Sequence, residues 1–161
     1  MDVYLGLGTN QGDRYKNIQN AVSAISNDCG NVISESSTYE SSPWGFSAEG
    51  SFYNSVVHVQ TELSPEELLF FCQKIEIELG RKKKTKLGYE SRIIDIDILL
   101  YDQITLDIED LKIPHPLIDE RVFVLQPLIE LLMKEDVDLE AYYKIKLFNC
   151  KDKGILKIVQ S

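Results

Sequence analysis

The chain has 161 residues, 43% hydrophobic and 27% charged, the proportions of an ordinary single globular domain whose core needs no staples. Its net charge of −9 opposes non-specific binding to nucleic acid or to an anionic membrane, and no stretch approaches the roughly 18 apolar residues of a membrane span. An acid at position 2 with no basic run behind it argues against a signal peptide, and three scattered cysteines (Cys29, Cys72, Cys150) without a CxxC fit buried thiols in a reducing cytoplasm.

Val3, Leu5 and Leu7 alternate with Tyr4 and Gly6, a first strand. Glycines at 6, 8 and 12 then read as a break, a tight strand-to-helix turn; GLGTNQG does not have the spacing of a dinucleotide fingerprint. Asp13 is placed to cap a helix running to about Ser26, with Ile18, Ala21, Val22 and Ile25 as its apolar stripe. Residues 31–39 are rich in β-branched and hydroxyl side chains and predict a second strand. The loop SSPWGFSAEGS holds Trp44, the one tryptophan, and leads to a third strand at 52–61. Ser64, Pro65 and Glu67 form a capping-box start for a second helix, with Leu68, Leu69, Cys72, Ile75 and Leu79 on its buried face and Gly80 at its end. A basic loop, 81–91, precedes a fourth strand at 92–100.

The order β-α-β-β-α-β predicts an α+β fold with a ferredoxin-like core and an antiparallel sheet. An extended piece near 103–106, a helix from about Asp119 to Met133, an acidic exposed stretch at 134–140 and a terminal hairpin complete the expectation. The whole chain, 1–161, then forms one domain, with a core at about 1–133 and an extension at about 134–161.

Asp95 and Asp97 carry the chemical signal. Residues i and i+2 of a strand share a face, about 6.5–7 Å apart, while Ile94, Ile96, Ile98 and Leu100 are expected on the other. Two carboxylates side by side among apolar residues are costly unless compensated. Water on an exposed strand is one compensation. Divalent cations are another, and six of the seventeen basic residues (Arg81, Lys82, Lys83, Lys84, Lys86 and Arg92) fall within twelve positions just before the pair. Hard oxygen ligands facing a basic loop suit a Mg²⁺–triphosphate complex. The same order of elements occurs in RNA-recognition domains, but those need exposed rings on the central strands and a basic sheet, and this chain supplies neither.

The segments GRKKKTKLGYESRIIDIDILLY and PHPLIDERVFVLQPL, with the GLGTNQGD turn, SSPWG and FYNSVV before them, closely resemble the 6-hydroxymethyl-7,8-dihydropterin pyrophosphokinase family over about four-fifths of the chain. The resemblance implies a cytoplasmic monomer that moves pyrophosphate from ATP to the pterin alcohol in folate synthesis, using two Mg²⁺ ions. It implies Asp95 and Asp97 as the metal ligands and Arg81, Lys83 and Arg92 as catalytic cations, Arg92 also touching the ATP phosphates. Lys83 stands where the family often has arginine, which keeps the charge and loses the bidentate fork. Tyr89 stands where the family often has tryptophan. Gln73, Glu76, Tyr89, Ile98, Lys112, His115 and Arg121 are the implied ATP contacts. Ser41, Ser42, Trp44, Phe52, Asn54 and Phe123 are the implied pterin pocket, with the two phenylalanines stacking on the ring. No nucleic-acid or membrane partner is implied. An inactive relative, or another ATP-dependent transferase on the same scaffold, is the rival reading of the departures at Lys83 and in the Y-E-S-R run.

Overall fold

The computed structural model describes residues 1–42, 50–80, 93–152, 154 and 156–159. It is a mixed structure of four α-helices and an antiparallel sheet among those residues.

Strand β1 (Asp2–Thr9) lies between β4 (Phe52–Gln60) and β5 (Asp95–Tyr101), antiparallel to both. Beyond β4 come β2 (Asn31–Glu35) and β3 (Tyr39–Ser41), and β3 also pairs with the two-residue β8 (Lys157–Ile158). The single strand expected at 31–39 is therefore two, and only the second of them reaches the pterin-side residues Ser41 and Ser42. A separate hairpin joins β6 (Leu106–Ile108) to β7 (Leu111–Ile113), where the sequence suggested one extended piece.

Helix α1 (Arg14–Asp28) is capped by Asp13, whose carboxylate accepts the Lys16 N–H at 3.0 Å. Helix α2 (Pro65–Glu78) starts with the anticipated capping box: the Ser64 N–H donates to Glu67 at 2.8 Å and the Glu67 N–H to Ser64 at 3.3 Å. Both helices cover one face of the sheet. Ile18, Ala21, Val22 and Ile25 of α1 and Leu68, Cys72 and Ile75 of α2 pack on Val3, Leu5, Leu7, Val57, Val59, Ile96 and Ile98. Each such fully buried aliphatic side chain contributes roughly 1.5–3 kcal/mol of transfer free energy.

Among the described residues, helices cover the second face at one end. Helix α3 (Val122–Glu135) follows a short 3-10 turn at Ile118–Glu120, and α4 (Val137–Asn149) folds back on it. Leu125, Leu128, Ile129 and Leu132 of α3 bury Tyr4, Val56, Leu99 and Leu100. Glu130 of α3 bonds Tyr39 and Ser37, and Glu135 bonds Tyr4 and Ser34, each at 2.8–2.9 Å. His58, buried on the same strand face, stacks on Tyr4 with ring centroids 4.8 Å apart and lies 2.8 Å from both Asp2 and Glu135, a structural clamp.

Three expectations need correction. Leu100 does not share the face of Ile96 and Ile98. The register between β1 and β5 slips by one between Tyr4 and Leu5, so Leu99 and Leu100 both join the α3 side. Gly6 and Gly8 are strand residues of β1, and the turn belongs to Gly12, whose φ of 61° favours glycine. The terminal hairpin is helix α4 instead. The alternation in YKIKL imitates a strand, but Leu139, Tyr143, Leu147 and Cys150 recur at helical spacing and reach the α3 core, and the Asp136 carboxylate caps the Leu139 N–H at 2.9 Å.

Candidate active site

At the other end of the second sheet face Gly6, Gly8, Asn54, Asp95 and Asp97 belong to neither core cluster. Cross-strand partners point to one side, so the register Asp95–Gly8–Asn54–Tyr39 runs as one row across four strands, and Asp97–Gly6–Val56 as the next. Asp95 and Asp97 are half-buried, while their neighbours Ile96 and Ile98 are fully packed beneath the sheet. The two glycines let neighbouring side chains lie close to the sheet. A Cβ on Gly8 would meet Asn54 Oδ1 at 3.4 Å, and one on Gly6 would meet Leu99 Cδ1 at 3.3 Å. These positions were missed as site residues. Their signal was their parity: Gly-x-Gly lies in β1 opposite Asp-x-Asp in β5.

The edge strand that carries the aspartates is held from behind. Glu76 is 4% exposed, and its carboxylate accepts the N–H of Ile96, between Asp95 and Asp97, at 2.7 Å. An edge strand otherwise presents such a donor to solvent. Gln73, one turn earlier, is on the exposed side of α2. The side chain of Ile98 belongs to the α1–α2 core, leaving only its backbone toward any ligand.

On the other flank, Asn54 is buried and donates from Nδ2 to Ser41 Oγ at 2.8 Å. This fixes the amide and turns its acceptor oxygen toward Gly8. Phe52 is half-buried, opposite Ser41 and on the same strand face as Asn54, and Ser42 is exposed just beyond. A ring stacked between Phe52 and a second aromatic would thus find the amide edge of Asn54 beside it.

His115 and Arg121 close the third side. The His115 N–H donates to Leu99 O at 2.9 Å, tying the segment after β7 to β5. Nδ1 of His115 accepts the Leu117 N–H at 3.2 Å. Burial first, and then the nearby Arg121 guanidinium, push the imidazole down to about 4, against an opposing pull from Asp95. The ring is therefore neutral at pH 7, with its proton on Nε2 as a hydrogen-bond donor. Arg121 is buried at the start of α3, its guanidinium 5.8 Å from the centroid of the half-buried Phe123 ring. Lys112 stands apart on the β6–β7 hairpin, exposed and 3.0 Å from Asp107. Trp44, Arg81, Lys83, Tyr89 and Arg92 lie outside the described residues.

A cleft of about 1330 Å³ opens at the covered end, and His115 and Pro116 line it together with Asp2, Asp102, Asp119, Glu135, Asp136 and Asp138. So many carboxylates give it the wrong sign for a triphosphate; the Asp95–Asp97 end, beside Arg121 and His115, is the better nucleotide site.

A half-buried carboxylate pair, a neutral imidazole donor, a buried guanidinium and an amide-edged aromatic corner have the chemistry to receive a polyanion beside a flat polar ring. Comparison with known proteins identifies which. The chain belongs to the 7,8-dihydro-6-hydroxymethylpterin-pyrophosphokinase family, whose model matches residues 4–133. It is 40% identical over 155 residues to the 2-amino-4-hydroxy-6-hydroxymethyldihydropteridine pyrophosphokinase of Aquifex aeolicus, covering 96% of this chain and 93% of the relative. The protein of that name from Bacillus subtilis is 39% identical over 86% of this chain and 81% of its own length. The folic acid synthesis protein FOL1 of Dictyostelium discoideum is 43% identical over 80% of this chain, which spans only 19% of it. Among solved structures, the Plasmodium falciparum HPPK-DHPS with pteroate superposes with a TM-score of 0.65 at 16% identity, over 91% of this chain and 44% of that one, a likeness of fold.

Proposed function

We propose that this chain transfers the pyrophosphoryl group of ATP to the hydroxymethyl oxygen of 6-hydroxymethyl-7,8-dihydropterin and releases AMP, a step of folate synthesis. Family membership supports the reading, and one observation carries it to the residues: Asp95 and Asp97 share a sheet face, and Asp95 stands in one cross-strand row with Gly8 and Asn54. The strand path β5-β1-β4-β2, with α1 and α2 on one face, supports the ferredoxin-like reading of the core, with 134–161 as its extension.

Two Mg²⁺ ions fit this donor set. Among the described residues no three His, Cys, Asp or Glu side chains gather to hold a metal, and Mg²⁺ asks for only one or two carboxylates, taking phosphate oxygens and water for the rest. Asp95 and Asp97 would hold the ions. Bound Mg²⁺ neutralises phosphate charge and makes the attacking hydroxyl more acidic.

The protein's own part is positioning and electrostatics. The pterin ring lies between Phe52 and Phe123, its amide edge read by Asn54, with Ser41, Ser42 and Trp44 completing the pocket. Its hydroxymethyl oxygen attacks the β-phosphorus. The new O–P bond forms as the bond from Pβ to the α-bridging oxygen breaks, AMP leaves with that electron pair, and the hydroxyl proton passes to solvent. Neutral His115 donates from Nε2 to the nucleotide, and Arg121 and Arg92 bind its phosphates. Arg81 and Lys83 offset the charge of the transition state. Tyr89, Gln73, Lys112 and the backbone of Ile98 border the nucleotide, while Glu76 acts through the strand it holds.

ATP labelled in its β- and γ-phosphates tests the reaction. Both labels in a pterin product, with AMP formed only when the pterin is present, is the expected result. Formation of ADP would identify a simple kinase and overturn the proposal; nucleotide binding without any turnover would identify an inactive relative.

A further inference from the structure

Glu76 of α2 holds the aspartate strand from the helix side of the sheet. At the opposite corner Arg14, the first residue of α1, makes a comparable contact. Tyr53 alternates along β4 with Phe52 and Asn54, so its ring lies on the α1 side of the sheet while theirs face the site. The Arg14 guanidinium sits 4.0 Å from the centroid of the Tyr53 ring. Its Nη1 donates to the Ser51 carbonyl oxygen at 2.8 Å and to Ser51 Oγ at 2.6 Å. The Ser51 hydroxyl donates in turn to Glu40, whose Oε1 lies 3.6 Å from Arg14 Nη1. Guanidinium, hydroxyl and carboxylate thus link the start of α1 to β3 and to the residue just before β4.

Ser41 and Phe52 form the last described pair of the β3–β4 ladder. The end of a ladder opens more easily than its middle. Glu40 and Ser51 are the sequence neighbours of that pair, so holding them together holds the backbone of Ser41 and Phe52. Ser41 Oγ also accepts the Asn54 amide at 2.8 Å, which makes the aim of the amide depend on the same corner. The Arg14 and Glu40 side chains are 27% and 35% exposed. A pair that wet adds little to global stability, so its effect is local. A guanidinium suits the task because its planar fork bonds outward while its face lies on a ring.

We propose that Arg14 is a positioning residue for the pterin: from the reverse face of the sheet it fixes Ser41, Phe52 and Asn54, and so sets affinity for the ring without touching it. The inference rests on the pterin reading of this corner.

Calorimetric titration of 6-hydroxymethyl-7,8-dihydropterin into the full chain, with Mg²⁺ and a non-hydrolysable ATP analogue present, tests this beside titration of the analogue alone. Arg14→Ala weakens the pterin about tenfold, a factor worth about 1.4 kcal/mol. It leaves the affinity for the analogue, and kcat at saturating pterin, at the wild-type values. Arg14→Lys keeps the charge and loses the fork, and recovers part of the loss, to roughly threefold weaker than wild type. Two ligands measured on the same folded variant separate positioning from a general loss of structure. Unchanged pterin affinity in Arg14→Ala, or equal weakening of pterin and analogue, overturns the proposal and leaves the pterin reading standing. A wild type that binds the analogue and no pterin removes that reading, and this inference with it.

Discussion

At one end of the second sheet face, β1, β4 and β5 present Tyr4, Val56, Leu99 and Leu100, and helix α3 lies on them. At the other end the same three strands present Gly6, Gly8, Asn54, Asp95 and Asp97, which belong to neither core cluster. The strands are shared, so backbone geometry does not distinguish the two ends. Side-chain size and charge do. Large apolar groups gain by being covered, whereas a packed helix laid over paired carboxylates would have to bury charge. The slip in register between Tyr4 and Leu5 is the boundary. It turns both Leu99 and Leu100 under α3 and ends the aspartate row. On the proposed function, stability and chemistry occupy opposite halves of one surface, and variants in the two halves should fail differently.

Asp97→Asn should break the chemical half alone. It should lower kcat/KM by about a thousandfold, roughly 4 kcal/mol of transition-state stabilisation, with thermal unfolding unchanged. Leu128→Ala, in the fully buried half, should do the reverse. A loss of about 3 kcal/mol in urea unfolding is expected, while turnover of the folded fraction at 25 °C stays at the wild-type value.

His115 lies at the boundary and should show its burial through pH. Its folded value, about 4, is below the ordinary 6.5. Between those values the unfolded chain binds the proton and the folded one does not, so stability falls as pH falls from 6.5 to 4. Allowing for the part of the ring that water still reaches, the change is on the order of 2 kcal/mol. Replacement by Gln should flatten that part of the stability curve. The smallest effect is expected from Gly8→Val. Its side chain would push against the Asn54 amide, raising KM for the pterin about tenfold, or roughly 1.4 kcal/mol, with kcat little changed.

Much of this was legible in the sequence wherever local chemistry decides structure. The caps at Asp13 and Ser64, the α1 stripe, the α2 core face and the shared face of Asp95 and Asp97 all follow from spacing alone. What spacing could not show was tertiary. The slip that moves Leu100 depends on how β1 pairs with β5. Gly6 and Gly8 looked like a turn because their place inside β1, beside Asp95, Asp97 and Asn54, appears only with the strand pairing. Glu76 was implied only as an ATP contact, and the backbone N–H that it accepts appears only with the edge position of β5. The last segment was misread because YKIKL satisfies a period of two over five residues, whereas its helical partners Leu139 and Cys150 lie outside that window.

The central claim is that the Asp95–Asp97 end of the sheet holds the Mg²⁺–ATP complex. Calorimetric titration of a non-hydrolysable ATP analogue, with and without Mg²⁺, into the wild type and the D95N/D97N variant tests it most directly. The account predicts Mg²⁺-dependent binding to the wild type and none to the variant, with matching unfolding curves. Equal Mg²⁺-dependent binding by both proteins would contradict it.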